Sequence, residues 1–193
     1  LDLPESPALT DMPWGTNIKM PEQLPTPPRT TWMGYRNEAG SAGTRNLLGI
    51  VTTVQCVAGV VRVAVERIKK ELLPKYPNVD GVVAITHPYG CGVAINAPLA
   101  YIPIRAITNV IRHPNFGGEI MVVGLGCEKL TYDRVLPPED ITPENCLTLQ
   151  DCKGHDAMMQ AILDMAEKKL QKLNQRHREE LPLSELLIGM QCG

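Results

Sequence analysis

Leu47-Leu-Gly-Ile-Val-Thr-Thr-Val-Gln-Cys56 is the stretch that decides the fold. Leu47 to Val54 is a continuous apolar run of buried-strand length. A strand that is apolar throughout belongs to a sheet covered by helices on both faces. Directly behind it, Val57, Val60, Val61, Ala64, Val65, Ile68 and Leu72 recur at helical spacing, with Arg62, Glu66, Lys69 and Lys70 on the other face. Pro74 and Pro77 end that helix. A buried strand, a cysteine, then an amphipathic helix is one unit of an α/β domain.

The same unit recurs downstream. Val79 to Thr86 is a second core strand, and Asn96-Ala-Pro98 opens a helix running to about His113. Pro103 must kink that helix or move its start downstream. Glu119 to Leu125 is a third strand, Cys146 to Leu149 a fourth and Leu186 to Gln191 a fifth, with a long helix from Asp151 or Gly154 to about His177. Upstream, Thr31 to Arg36 is a short strand before a Gly-rich turn. Alternation of this kind predicts an open, mostly parallel, Rossmann-like α/β sheet of about five strands with helices on both faces. Residues 1–30 hold seven prolines and read as an extended leader without regular structure. Residues 31–193 read as the α/β domain. The start without methionine and the stop after Cys192 suggest the central piece of a larger enzyme.

Four of the six cysteines follow such apolar runs: Cys56, Cys91, Cys127 and Cys192. The C-terminal edge of an open parallel sheet is where ligands bind, so these thiols are expected to gather there. They are expected to be reduced, because six cysteines in 193 residues are too sparse for a disulfide scaffold and an α/β pattern suits the cytoplasm. Hydrophobic residues make up 44% of the chain, enough for one substantial core. A net charge of −2 without a basic patch argues against nucleic acid. No apolar run approaches the roughly 18 residues of a membrane span.

Thr86-His-Pro-Tyr-Gly-Cys-Gly92 sets an imidazole and a thiol four residues apart in a rigid loop. Such a pair can ligate Fe²⁺ or Zn²⁺, or carry acid–base chemistry; equally, the loop can be a tight turn around a buried cysteine. Gly124-Leu-Gly-Cys-Glu-Lys129 lacks the third glycine of a dinucleotide fingerprint and reads as a close-approach turn presenting Cys127 and Glu128. Arg45 and Asn46, beside a Gly-rich turn, can grip a carboxylate or simply cap the turn. Cys146, Cys152, His113, His155 and His177 read as structural.

These motifs, in this order, resemble the altronate/galactarate dehydratase family. The resemblance rests on Gly43-Thr-Arg-Asn46, Thr53-Val-Gln-Cys-Val57, Tyr76 to Val83, His87 to Gly92, His113-Pro-Asn-Phe-Gly-Gly118, Gly124 to Glu128 and Gly189-Met-Gln-Cys-Gly193. The Tyr89 to Pro98 loop looks more like the galactarate branch than the altronate one. The resemblance implies a hydro-lyase that turns a sugar acid, galactarate by preference, into a keto-deoxy acid with Fe²⁺ or another divalent metal. It implies His87 and Cys91 as catalytic candidates, with His87 an acid/base group or a metal ligand. It implies Arg45 and Asn46 as substrate contacts, and Cys56, Cys127, Cys192 and Glu128 as metal-ligand candidates. Further domains of the same enzyme are the implied partners, and whether the enzyme is a homo-oligomer stays open. The isolated domain is expected to be catalytically silent, with its metal site empty. Two rival readings stand beside this one: a sulfolactate-type carbon–sulfur lyase, and a non-catalytic wall of a site completed elsewhere.

Overall fold

The computed structural model describes Lys19, Glu22 and residues 24–191. Contacts divide the chain into two units, Leu1–Thr30 and Thr31–Gly193. Most of the leader and Cys192 lie outside the described residues; Leu24 to Thr30 form no helix or strand.

The second unit begins with β1 (Thr31–Arg36) and the two-residue β2 (Ala42–Gly43). It continues through β3 (Leu47–Thr52), α1 (Ala58–Glu71), β4 (Gly81–Ile85) and α2 (Tyr101–Ile111). Then come β5 (Val122–Gly124), the single-turn α3 (Tyr132–Val135), β6 (Cys146–Thr148), α4 (His155–Leu173) and β7 (Glu179–Pro182). Four strands form an all-parallel sheet in the order β4-β3-β5-β6. The anticipated α/β class is therefore present, with four parallel strands.

Side chains on β3 alternate between faces as a strand requires. Leu48 and Ile50 pack with Val61, Val65 and Ile68 of α1 and Ile162 and Leu170 of α4. Val51 and Val122 pack on the other side with Ile111 of α2 and Val135 of α3. Both faces are thus covered. Gly49 is required for close approach: a Cβ there would lie 2.6 Å from the Phe116 ring. Gly154, at φ 93°, supplies the left-handed turn into α4. The second helix starts at Tyr101, so Pro103 falls in its first turn, where no intrahelical donor is needed.

The fifth parallel strand does not form. Residues 186–190 carry no strand, and Leu187, Ile188 and Met190 are exposed at 93%, 73% and 94%. The chain leaving α4 instead turns into β7, which pairs antiparallel with β1 in a separate sheet ordered β2-β1-β7. That sheet lies at the N-terminal edge of the parallel strands, tied by Arg176 to Asn46 before β3 and by Arg178 to Asp80 before β4. Apolar composition alone does not make a strand, and residues 186–190 join neither sheet although β4, β6 and β7 each keep an open edge.

Candidate functional site

The strand order places a crevice at the C-terminal edge between β3 and β5. From β3 the chain crosses to β4 on one side, then to β5 on the other. Loops diverge at such a switch point, and open α/β sheets bind ligands there. Three thiols gather at this edge. The Cys56 and Cys91 sulfurs are 3.5 Å apart, and Cys127 Sγ lies 4.0 Å from Cys91 Sγ. Two backbone bonds stitch their loops together: Gln55 N donates to Tyr89 O at 2.8 Å, and Lys129 N to Cys91 O at 3.0 Å. Cys56 and Cys127 are exposed and Cys91 is half-buried. Contact with Cys56, burial and contact with Cys127 push the Cys91 thiol up to about 11. Near neutral pH it holds its proton. All five described cysteines are unpaired.

Glu128 closes the crevice from the β5 side. Its Oε1 accepts from Thr53 Oγ1 at 2.5 Å and from Leu125 N at 3.0 Å, and its Oε2 accepts from Gly126 N at 2.6 Å. Burial opposes ionisation, but the bonds from Thr53 and the loop N–H groups outweigh it and lower the pKa. Tyr132 completes the network: its hydroxyl accepts from Gly124 N and shares a 3.1 Å contact with Thr148 Oγ1. Thr53 and Tyr132 escape a reading of motifs because a single hydroxyl residue has no pattern. The available signal is a buried threonine at the very end of a core strand.

His87 stands on the same loop as Cys91 but does not join the thiols. Its Nδ1 accepts from Tyr89 N at 3.2 Å, and its ring lines a 250 Å³ pocket with Val51, Tyr89, Pro103 and Ile107 that contains no cysteine. Its Nε2 is buried without a partner, and burial lowers its pKa against a smaller opposite effect of the Thr52 backbone. The imidazole is therefore held neutral.

Arg45 and Asn46 sit at the other end of β3, about 20 Å from the thiols at 3.3 Å per residue. Asn46 is fully buried: its Nδ2 donates to Asn78 O and Leu173 O, and its Oδ1 accepts from Arg176. Arg45 is exposed, with its N–H on Asn115 Oδ1. Their place is the N-terminal edge, away from the crevice, because both precede the strand whose C-terminal end forms the site. Cys152 is half-buried and Cys146 half-buried at the start of β6, and neither touches the other thiols. Among the described residues, no three His, Cys, Asp or Glu side chains come together to hold a metal ion. The thiol contacts run Cys56–Cys91–Cys127, and both oxygens of Glu128 are taken by donors. Among the described residues, Cys56, Cys91, Cys127 and Glu128 do not by themselves complete a ligand set for a divalent ion. Among these residues no helix is long and apolar enough to cross a membrane.

The family model described as D-galactarate dehydratase/Altronate hydrolase, second domain, matches residues 34–174. A galactarate dehydratase (L-threo-forming) from Escherichia coli (strain K12) is 56% identical over 199 aligned residues, covering 99% of this chain and 38% of that protein. An altronate dehydratase from Bacillus subtilis (strain 168) is 35% identical, covering 84% of this chain and 32% of its own length. An altronate dehydratase from Escherichia coli (strain K12) is 34% identical, over 82% and 31%. The chain thus spans less than two-fifths of the length of these curated relatives.

Proposed function

This chain belongs to the D-galactarate dehydratase/altronate hydrolase family as its second domain, and from that premise we propose that it is one wall of the active site of a sugar-acid dehydratase, with galactarate the substrate. The observation that carries the substrate choice is the contrast between 56% identity to a galactarate dehydratase and 35% and 34% to altronate dehydratases. The crevice lined by Cys56, Cys91, Cys127 and Glu128 supports its location.

Eliminating water from a hydroxy acid removes the proton beside the carboxylate and protonates the departing hydroxyl. A neutral imidazole can accept a proton, and burial keeps His87 neutral. The Cys91 thiol, with its proton retained, can line the cleft as a neutral donor. A divalent metal, Fe²⁺ by preference, would supply stabilisation of negative charge on the substrate carboxylate, and Cys56, Cys127 and Glu128 are the described residues that would contribute to holding it. Unpaired thiols suit a reducing, cytoplasmic setting.

The test is keto-acid formation by the purified full-length protein, anaerobic with Fe²⁺, from galactarate and altronate. Galactarate is expected to be the better substrate, and the 193-residue chain alone to be silent. Absence of keto acid from both acids overturns the reading, and sulfite release from sulfolactate replaces it with carbon–sulfur cleavage. Turnover by the isolated chain near that of the full-length protein overturns the placement of only one wall here.

A further inference from the structure

The 3.5 Å contact between Cys56 and Cys91 has no role of its own in a dehydration. A disulfide places its sulfurs about 2.05 Å apart, so closing the pair takes a movement of about 1.5 Å. The loops need not search for one another, because the Gln55–Tyr89 bond already fixes the residue before Cys56 to one two positions before Cys91. Cys56 lies exposed on the turn Gln55–Val57 leading into α1, while Cys91 sits half-buried beside it. Cys127 is farther from Cys91, at 4.0 Å, and among the described residues the half-buried Cys146 and Cys152 touch no other sulfur.

We propose that Cys56 and Cys91 form an oxidative modification site, a dithiol that hydroperoxides convert to a disulfide. The exposed Cys56 sulfur attacks the outer oxygen of the peroxide; the O–O bond breaks, and water or an alcohol leaves with the thiol proton. The resulting sulfenic acid meets the neighbouring Cys91 sulfur. The S–S bond forms, the S–O bond breaks, and the oxygen departs as water with the Cys91 proton. Two thiols lose two electrons in all, and the peroxide gains them. Thiol–disulfide exchange with a small reductant reverses the change. The closed pair removes two thiol protons from the crevice, so the oxidation state is written directly into the wall at the strand ends. This inference rests on the sulfur geometry and stands independently of the dehydratase reading.

The experiment treats reduced full-length protein with stoichiometric hydrogen peroxide, alkylates the remaining thiols and maps peptides by mass spectrometry without reductant. The expected result is the loss of two titratable thiols per chain and a peptide cross-linked through Cys56 and Cys91, both reversed by dithiothreitol. The Cys91→Ser variant is expected to accumulate sulfenic acid at Cys56, trapped as a dimedone adduct, and Cys127→Ser to keep the wild-type cross-link. An unchanged thiol count, or a cross-link that joins a different pair of cysteines, overturns the proposal. The wild-type map decides the matter even if a variant fails to fold.

Discussion

The hydroxyl of Thr53 donates to Oε1 of Glu128 at 2.5 Å, joining the end of β3 to the loop after β5 across the crevice of the parallel sheet. The same carboxylate takes the N–H groups of Leu125 and Gly126. Successive N–H groups at such a position form a seat for an anion. Here the chain fills that seat with its own side chain.

Replacing Glu128 by Ala leaves those two N–H groups and the Thr53 hydroxyl without their acceptor. Thr53 is buried and Leu125 half-buried, whereas Gly126 is exposed and water can replace its acceptor, so a loss of about 1 kcal/mol is expected, read as a lower Tm. The pH dependence has a definite sign. The folded-state pKa lies below the usual 4.5, so the carboxylate stabilises the protein fully above that value. The contribution is lost as pH falls through the lower folded value. Thermal unfolding across pH 5 to 3 is expected to show this loss in the wild type and a reduced one in Glu128→Gln.

Gly124→Ala is expected to be damaging at the same place. Its Cβ would lie 2.6 Å from Glu128 Oε1, 2.7 Å from the Tyr132 hydroxyl and 3.0 Å from Thr53 Oγ1. Overpacking of this kind costs about 1–3 kcal/mol. Gly59, near the start of α1, has nothing within 4 Å of an added Cβ, and Gly59→Ala is expected to raise stability by about 0.5 kcal/mol through helix propensity. Chemical denaturation of the two variants side by side measures the contrast.

Asn46→Ala is expected to act on stability. The change strands the Asn78 and Leu173 carbonyls and removes one acceptor from the Arg176 guanidinium. A cost of about 2–4 kcal/mol is expected for buried groups left unpaired. A substrate contact would instead raise KM at unchanged Tm, so unfolding and kinetics on the same variant separate the roles.

His87 is held neutral by burial, with its pKa below the usual 6.5. The unfolded chain therefore takes up this proton first as the solution is acidified. Stability associated with His87 is complete above pH 6.5 and falls as pH drops from there to the folded pKa. An NMR titration is expected to place the midpoint below 6.5, and His87→Gln is expected to flatten the stability profile in that window.

The convergence of Cys56, Cys91 and Cys127 is legible in the sequence for a physical reason. An apolar run shows where a buried strand stops, and right-handed crossovers send every parallel strand out at the same edge. The sequence also shows that Arg45 and Asn46 precede β3, and therefore lie at the opposite edge from Cys56. Beside a Gly-rich turn, however, a buried amide has the same signature as a ligand contact. His87 shares its loop with Cys91, yet the direction of its ring depends on the Tyr89 N–H and the α2 packing, which no spacing encodes. Leu186 to Met190 has strand composition without a strand, because pairing requires a neighbouring edge that composition does not describe. The partnership of β7 with β1 joins residues about 150 apart and has no local signal.

That partnership has a topological consequence. Thr31 pairs with Pro182, and paired residues on antiparallel strands sit about 5 Å apart. The polypeptide that enters the α/β unit at Thr31 therefore comes back, at Pro182, to the place where it began. Once β1 and β7 are zipped together, the parallel sheet between them folds inside a loop whose closure entropy is already spent.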